Sequence, residues 1–382
     1  MRAAEGSESH ILSQGGILQG IRVVEFAGLG PAPFAAMMLA DQGADVIRIE
    51  RHGGHVFGDP NHDLLNRGKR SITLNLKLAE DRETAFDLIE SADVLIEGYR
   101  PGVMERLGFG PQECLKRRPQ LVYGRVTGWG QDGPLAQAPG HDINYLALTG
   151  ALHAIGGAQK PVPPLNLVAD FGGGGMLLAH GISLALFHVA RTGQGQVVEA
   201  SMVDGVAAMM AMIHSFRAMN KWEDAREANL LDGGAPHYTC YECSDGGWLA
   251  VGALEPQFWQ AMLEVLELDP VSLGDPADER LWPAQHEVLA RTFRQHSRDE
   301  WVARFQGVET CVSPVLNLSE AGGHPHIAAR GTYRGREDAP DQIQHGVTPR
   351  FSATPAAAPG RPCLPGEHTQ EVLDELRATR GG

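Results

Sequence analysis

Three titratable residues lie in short segments marked by glycine and proline, where such side chains can take or give a proton. Asp170 stands between an apolar run and four consecutive glycines that lead into a helical pattern, His141 follows a Pro-Gly turn, and Glu255 follows a predicted strand. A carboxyl and an imidazole that meet at one site are suited to general acid–base chemistry. Helix-start amides would lower the pKa of Asp170 and an apolar pocket would raise it, so the sequence leaves the sign of that shift open.

Each of these residues also has an ordinary structural interpretation. Asp170 fits an aspartate that caps the start of a helix. Asp142, beside His141, fits an acid in a first helical turn, and Glu255 precedes Pro256 at another helix start. A single histidine among the 16 of this chain is usually structural or exposed. Residue type alone therefore assigns no chemistry, and the elements that position these residues have to be considered.

The first 200 residues alternate between short apolar strand patterns and helical patterns. Strands spaced by helices in this way predict a parallel sheet with right-handed crossovers. The predicted strands cover residues 21–26, 45–50, 93–97, 120–126 and 196–200. Composition changes near Asn220, and residues 237–252 form a predicted hairpin. We therefore predict a large α/β domain over residues 1–219 and 334–382 and a small α+β domain over residues 220–333.

The composition is that of a soluble globular protein, with 382 residues and a formal net charge of −15. This charge disfavours nucleic acid and anionic membranes as partners. The five scattered cysteines are typical of a reducing compartment, so we expect a cytoplasmic location. The lone Cys240-x-x-Cys243 pair predicts no metal site. Residues 1–14 lack the layout of a signal peptide, and no unbroken run of 18 apolar residues predicts a membrane span.

The segment from Gly28 to Pro33 follows a strand, opens a helix and precedes Glu50 at the end of the next strand, as in a dinucleotide-binding fingerprint. Two prolines contradict that interpretation. Pro31 has no N–H to offer a pyrophosphate, and Pro33 occupies the position where a small residue permits close helix packing. Proline in a first helical turn is ordinary, so a nicotinamide cofactor is not expected.

A longer pattern extends from residue 20 to residue 373. Its segments are Gly20–Phe26, Val46–Arg51, Asn66–Ile72, Glu97–Gly108, Gly128–Pro134, Gly140–Tyr145, Pro163–Gly175, Val251–Phe258 and Pro365–Leu373. Together they resemble the α-methylacyl-CoA racemases within the family III CoA-transferase superfamily, over nearly the whole chain. The resemblance implies an interlaced homodimer, in which each chain has a large doubly wound, Rossmann-like α/β domain and a smaller α+β domain.

The resemblance also implies roles for individual residues. His141 and Asp170 would be the acid/base pair, Glu255 would orient the histidine, and amides around Asp142 would donate to an enolate oxygen. The residues at positions where the family holds coenzyme A are Arg51, Leu74, Asn75, Leu76, Lys77, Gly98, Tyr99, Arg100, Arg106, Gly140, Ile143, Asn144 and Tyr145. The arginines and the lysine in this set would form a local basic lining that offsets the acidity of the whole chain.

The implied activity is the racemisation of 2-methylacyl-CoA thioesters. A base removes the proton beside the thioester carbonyl, an enolate forms, and an acid on the opposite face returns a proton. Because coenzyme A arrives with the substrate, we expect neither a metal nor a separate cofactor. The alternative is a family III CoA-transferase, in which Asp170 attacks the thioester and forms an acyl anhydride. A CoA-ester binding protein without activity is a third interpretation, and the identity of the acyl group stays open.

Overall fold

The computed structural model describes residues 15–54, 58–336 and 338–380, and its internal contacts divide the chain into two compact units. The larger unit comprises Met1–Tyr145, Asn166–Val206 and His326–Gly382, and the smaller unit comprises Leu146–Leu165 and Ala207–Pro325. The boundaries differ from the sequence division, because residues 146–165 and 207–219 group with the smaller unit and residues 326–333 with the larger. One reason is a pair of contacts between distant parts of the sequence: the Ala158 N–H donates to Glu227 Oε2 at 2.9 Å, and Arg226 donates to the His153 carbonyl at 3.0 Å.

The elements follow one another along the chain with mostly short connections. The strands are β1 (Arg22–Phe26), β2 (Asp45–Glu50), β3 (Arg70–Thr73), β4 (Val94–Glu97), β5 (Val122–Thr127), β6 (Gly156–Gly157), β7 (Lys160–Pro161), β8 (Gln196–Ser201), β9 (Tyr238–Glu242), β10 (Trp248–Gly252), β11 (Val312–Val315), β12 (Tyr333–Gly335) and β13 (Ile343–His345). The α-helices are α1 (Pro31–Asp41), α2 (Ala79–Glu90), α3 (Val103–Leu107), α4 (Pro111–Arg117), α5 (Asp142–Leu148), α6 (Ala151–Ala154), α7 (Leu177–Thr192), α8 (Met202–Met209), α9 (Ala211–Ala218), α10 (Pro256–Val265), α11 (Pro270–Leu273), α12 (Trp282–Phe293), α13 (Arg298–Phe305), α14 (Leu318–Ala321), α15 (Pro325–Arg330) and α16 (Thr369–Arg380). A π-helix covers Leu167–Met176, and short 3₁₀ turns lie at Pro60–His62, Leu64–Asn66 and Glu279–Leu281.

A six-stranded sheet forms the centre of the larger unit, in the order β3-β2-β1-β4-β5-β8. Every pairing in it is parallel. The predicted α/β fold with a parallel central sheet is therefore confirmed. The strand order reverses between β1 and β4, and ligands of such open sheets bind at the carboxyl ends of the strands next to a reversal of this kind.

The two faces of this sheet pack against different helices, because side chains alternate along each strand. On one face, Val24, Phe26 and Tyr123 join a buried apolar cluster with residues of α2, α4 and α16. On the other face, Gly124 lies against Leu178 and Ile182 of α7, and α1 packs beside α7. Helices thus cover both faces of the sheet, and its strand ends are left to form a site.

The π-helix and α7 form one continuous helical segment, Leu167–Thr192, which is long and apolar enough to cross a membrane by length and composition alone. The sequence contains no unbroken apolar run of that length, since glycine, histidine and serine interrupt it. The helix α7 packs against β5 and β8, as a core helix of a globular protein does. It ends at Gly193, whose left-handed backbone (φ 71°) closes the last turn.

The smaller unit contains an antiparallel sheet in the order β11-β10-β9. The predicted hairpin is confirmed, with Glu242 opposite Trp248 and Tyr238 opposite Gly252. One face of this sheet packs on α10, α12 and α13 around a buried cluster that includes Phe293 and Trp301. The indole N–H of Trp301 donates to the Phe293 carbonyl at 2.8 Å, so the polar atom of this large side chain is satisfied inside the core.

Candidate active site

A cavity of about 990 Å³ opens at the carboxyl ends of the parallel strands in the larger unit. Four connections supply most of its wall: residues 27–30 after β1, 51–54 after β2, 74–77 after β3 and 98–100 after β4. This is the reversal point of the strand order, where the fold predicts a ligand site. The volume is that of an ordinary small-molecule or cofactor pocket.

Most of the sequence-predicted coenzyme A contacts line this cavity. The residues that do so are Arg51, Leu74, Asn75, Leu76, Lys77, Gly98, Tyr99 and Arg100. Arg106 is not among them, and it lies exposed on α3 with a guanidinium nitrogen 3.1 Å from the position of a Cβ at Gly102. His52, Arg48 and Asp63 also line the cavity. Their positions next to the predicted segments were the only sequence signal that could have found them.

The ends of β1 and β4 are fixed to each other by Tyr99. Its hydroxyl donates to the Ala27 carbonyl at 2.8 Å, and its own N–H donates to Glu97 Oε2 at 2.8 Å. Burial and the charge of Glu97 raise the pKa of Tyr99 to about 12, so the phenol stays protonated and keeps donating. Glu97 is itself held by Arg125 Nε at 3.0 Å. Beside it, Gly98 packs so closely on Ala32 that a Cβ would lie 3.0 Å from the alanine methyl.

The unpaired charges of the cavity wall are positive. Arg51, Lys77 and Arg100 are exposed, and within the described part of the chain no carboxylate forms an ion pair with their side chains. The two acids of the wall are engaged elsewhere: Glu50 lies 3.4 Å from Arg48 Nε, and Asp63 accepts from the Asn66 amide at 2.7 Å. Three members of the predicted basic lining therefore lie in the cavity wall of a chain with a formal net charge of −15, and Arg106 does not.

Asp170 lies in the first turns of the π-helix, where the Phe171 N–H reaches back five residues to the Asn166 carbonyl at 3.3 Å. The carboxylate of Asp142 holds this turn from outside. Its Oδ2 accepts the N–H groups of Ala169 and Asp170, each at 2.8 Å. Its Oδ1 is buried without a hydrogen-bond partner among the described residues. Helices of the π type are uncommon and occur frequently at functional sites.

The ionisation of Asp170 reflects these neighbours. Burial first, and then the negative charge of Asp142, raise the pKa of Asp170 to about 6, while a hydrogen bond from Asn166 and the charge of His141 lower it. The question left open by the sequence is thus answered: the raising influences outweigh the lowering ones. A carboxyl of this kind exchanges its proton in the pH range where imidazole ordinarily titrates. His141, Asp142 and Asp170 are therefore brought together electrostatically in the larger unit.

The glycines after Asp170 let the π-helix approach its neighbours without intervening side chains. A Cβ at Gly173 would lie 3.0 Å from the Met202 carbonyl oxygen, and a Cβ at Gly175 would lie 2.9 Å from the Pro31 carbonyl oxygen. At the inner end of the cavity, a Cβ at Gly30 would lie 3.5 Å from Asp170 Oδ2. Because Gly30 also lines the cavity, the cavity ends beside the carboxyl of Asp170.

The remaining predicted residues lie apart from the cavity wall. None of Gly140, Ile143, Asn144 and Tyr145 lines the cavity. Asn144 instead accepts the His141 N–H, and Tyr145 donates to the Gly140 carbonyl. Glu255 belongs to the smaller unit, where it occupies the N-cap position of α10, exposed and without a side-chain capping hydrogen bond. Across residues 15–54, 58–336 and 338–380, no group of three or more acidic, histidine or cysteine side chains could hold a metal ion.

The chain belongs to the family described as CoA-transferase family III, whose sequence pattern matches residues 18–369. Among characterised relatives, it is 43% identical to the alpha-methylacyl-CoA racemase of Mus musculus over 94% of this chain and 93% of that protein. It is 42% identical to the Homo sapiens protein of the same name, over 95% of this chain and 94% of that one. The crystal structure of a CAIB/BAIF family protein from Brucella suis superimposes with a TM-score of 0.81 at 26% identity, over 95% of this chain and 100% of that one.

Proposed function

We propose that this chain is an isomerase that interconverts the (2R) and (2S) forms of 2-methylacyl-CoA thioesters. The observation that carries the proposal is an Asp170 whose pKa is raised to about 6 and which feels the charge of His141, with its carboxyl beside Gly30 of a cavity that has a basic wall. The relatives with 42–43% identity bear the name of this activity. An imidazole and a carboxyl with a raised pKa are different types of group, and each can serve as acid or base near neutral pH.

The reaction needs a proton to leave one face of the carbon beside the thioester and another to arrive on the opposite face. In one direction neutral His141 takes the proton and protonated Asp170 returns one, and in the other direction the roles are exchanged. A carboxyl with a pKa of about 6 suits this exchange, because the proton costs nearly the same on it as on an ordinary imidazole. Asp142 supports the pair by holding the Asp170 amide and by raising that pKa.

The cavity supports a route for the coenzyme A part of the substrate. Its phosphates would meet Arg51, Lys77 and Arg100, and its pantetheine arm would pass Gly30 toward Asp170. The turn before α1 offers few N–H groups, since its helix begins Pro-Ala-Pro, so a neutral arm suits it better than a pyrophosphate. Binding energy from these distant contacts can be used to position the reacting carbon.

We propose an interlaced homodimer, in which Glu255 of one subunit orients His141 of the other. An exposed apolar strip along the π-helix and α7 supports association, because monomers rarely leave such a strip uncovered. Its members are Met176, Leu177, Leu184 and Phe187, with 51%, 39%, 57% and 62% of their surface exposed. The exposed Glu255, which makes no side-chain capping hydrogen bond, is compatible with a role of this kind. We also propose a cytoplasmic location, on the basis of five cysteines that are all unpaired.

The test is to incubate the protein with single enantiomers of 2-methylacyl-CoA esters in heavy water. The acyl panel should include a sterol side chain, a branched fatty acid, an aryl-propionate and a small branched acid. We expect α-deuterium uptake together with loss of optical activity for at least one ester, and His141→Ala should abolish both while ester binding persists. Tight binding without exchange for every ester would instead identify an inactive binding protein.

The alternative activity is CoA transfer through an Asp170 acyl anhydride, and it is less favoured. Relatives named as transferases, such as the succinyl-CoA–L-malate CoA-transferase beta subunit of Chloroflexus aurantiacus, are 30% identical over 94% of this chain and 94% of that protein. Their identity is below that of the racemases. Hydroxylamine trapping of an Asp170 acyl adduct, together with turnover that requires a free acid acceptor, would reverse this order.

A further inference from the structure

The peptide unit in front of His141 is held at both of its polar atoms. The hydroxyl of Tyr145 donates to the Gly140 carbonyl oxygen at 2.5 Å, and the His141 N–H donates to Asn144 Oδ1 at 3.0 Å. This carbonyl and this N–H belong to one planar peptide group. From this geometry we infer that Tyr145 and Asn144 are positioning residues that lock the backbone of His141 for proton transfer, an inference that rests on the proposed role of His141.

The ring of Tyr145 is enclosed in a slot that requires two glycines. A Cβ at Gly128 would overlap the phenol ring, and a Cβ at Gly140 would lie 2.7 Å from Cε1 of the same ring. The third side is the indole of Trp129, which meets the phenol edge-on with centroids 4.8 Å apart at 83°. Only 6% of the Tyr145 surface is exposed. Gly128 and Trp129 belong to the Gly-Trp-Gly segment after β5, which the proposed mechanism does not otherwise use. This segment therefore forms part of the wall of the slot around the Tyr145 ring.

The enclosed phenol is a dependable donor. Burial, and the charge of Asp170 after it, raise the pKa of Tyr145 to about 12, while Arg100 acts in the opposite direction. The hydroxyl therefore stays protonated across the working pH range and keeps its hydrogen bond to Gly140. Neither the charge of the enolate nor a modest pH change should break this hydrogen bond.

The family resemblance placed Tyr145 among the coenzyme A contacts, and the same geometry argues against that role. Its hydroxyl is already committed to a backbone carbonyl, its ring is enclosed, and it does not line the cavity. A residue that acts through His141 should affect the proton-transfer steps of the reaction and leave the apparent affinity for the ester unchanged. A residue that contacts coenzyme A should do the opposite.

The test uses Tyr145→Phe, which removes only the hydroxyl. We expect kcat to fall about tenfold with KM unchanged, because loss of alignment acts on the reacting step. Wash-out of the α-proton with retained configuration should be measured separately for each enantiomer. It should slow about tenfold for the enantiomer whose proton faces His141, and stay within about twofold for the one that faces Asp170.

Tyr123→Phe is the matched control. Tyr123 is also buried, and its hydroxyl donates to the Phe109 carbonyl at 3.0 Å, among the apolar residues on the opposite face of the sheet. It loses the same type of hydrogen bond, so we expect reduced thermal stability with kcat and both wash-out rates unchanged. Asn144→Ala is the second test variant, since it releases the other end of the same peptide and its side chain is exposed. Asn144→Ala should show the same slowing of wash-out for one enantiomer. If Tyr145→Phe does not fold, the result with Asn144→Ala decides whether the inference holds.

Three outcomes would overturn the inference. The positioning role of Tyr145 is ruled out if Tyr145→Phe behaves like Tyr123→Phe. It is also ruled out if wash-out slows equally for both enantiomers. A raised KM with unchanged kcat would instead show that Tyr145 binds substrate. In each of these cases the wild-type protein still exchanges α-protons and the proposed function stands. If the wild-type protein exchanges no α-proton from any ester, the proposed function fails and the inference fails with it.

Discussion

The charged side chains of the cavity wall and the surroundings of His141 and Asp170 are held in opposite ways, although both lie in the larger unit. The wall presents exposed cations on strand connections, and Arg51, Lys77 and Arg100 extend from it without ion-pair partners in the described chain. Around the proposed acid/base pair, Asp142 and Tyr145 each hold backbone through partly buried hydrogen bonds, and a Cβ at Gly173 or Gly175 would lie 3.0 or 2.9 Å from a neighbouring carbonyl oxygen. Flexible charges tolerate variation in the ligand, whereas proton transfer requires fixed distances.

This difference teaches where substitutions should matter. A change in the wall removes one of several contacts to a large handle, and we expect it to weaken binding gradually. A change near the pair alters the position or the ionisation of a group that the chemistry needs. Four changes test the contrast, from the largest expected effect to the smallest.

Asp170→Asn should produce the largest effect. It keeps the shape of the side chain and removes its proton exchange, so we expect racemisation to fall at least about 10³-fold. Affinity for a CoA ester, measured by calorimetry, should remain within about threefold. Full turnover by this variant would remove Asp170 from the acid/base pair.

Gly205→Ala tests the close packing beneath the pair. A Cβ at Gly205 would overlap the Gly173 carbonyl of the π-helix, so we expect a loss of about 1–3 kcal/mol in the free energy of unfolding. Gly28→Ala is the matched comparison in the cavity, where the nearest atom to a new Cβ is 3.9 Å away. Denaturant midpoints that shift equally for both variants would contradict the contrast between the two regions.

Arg100→Ala should raise KM about tenfold with kcat unchanged, because it removes one charge contact of about 1.4 kcal/mol that is made equally in the ground and transition states. Lys77→Ala should behave alike, and high salt should reduce the difference from wild type. Arg280→Ala, an exposed arginine paired locally with Asp278 in the smaller unit, is the control. If Arg106→Ala raises KM as much as Arg100→Ala, coenzyme A extends along α3 beyond the cavity.

Asp142→Asn should give the smallest and most specific effect. It keeps an oxygen that can accept the amides of Ala169 and Asp170 and removes the charge that raises the pKa of Asp170. The pKa of Asp170 should therefore fall, and the acidic limb of the kcat/KM profile, which lies near pH 6 when this carboxyl controls it, should move to lower pH. A limb that stays in place in a pH–rate measurement would assign it to another group.

Much of the fold followed from local patterns. Apolar strands separated by helices predicted the parallel sheet, and Arg51 and Arg100 follow two of the predicted strands. Lys77 follows β3, which was not among the predicted strands, so only the family resemblance pointed to it. The insertion of residues 146–165 into the smaller unit could not be predicted, because it depends on contacts with Arg226 and Glu227 some 70 residues away. Long-range contacts of this kind leave no periodic signal in the sequence.

For the candidate site, the sequence supplied candidate residues but not their arrangement. The sequence identified Asp170 and His141 as candidates, yet the sign of the pKa shift at Asp170 required the burial and the Asp142 charge that only the folded chain provides. Tyr145 could be placed next to the histidine, but its hydroxyl donates backward to Gly140, a direction that spacing does not encode. The π-helical hydrogen bonds around Asp170 likewise have no signature in a run of glycines.

The π-helix has a consequence for insertions and deletions in this chain. Successive residues of an α-helix differ by about 100° around the axis, so the loss of one residue swings everything before it to another side. Removal of a single glycine from Gly172–Gly175 would draw the wider turn toward an α-helical one and rotate the Asp170 carboxyl away from Gly30. We expect a chain shortened by that one residue to fold and to bind its ester, while the carboxyl points where no α-proton is within reach.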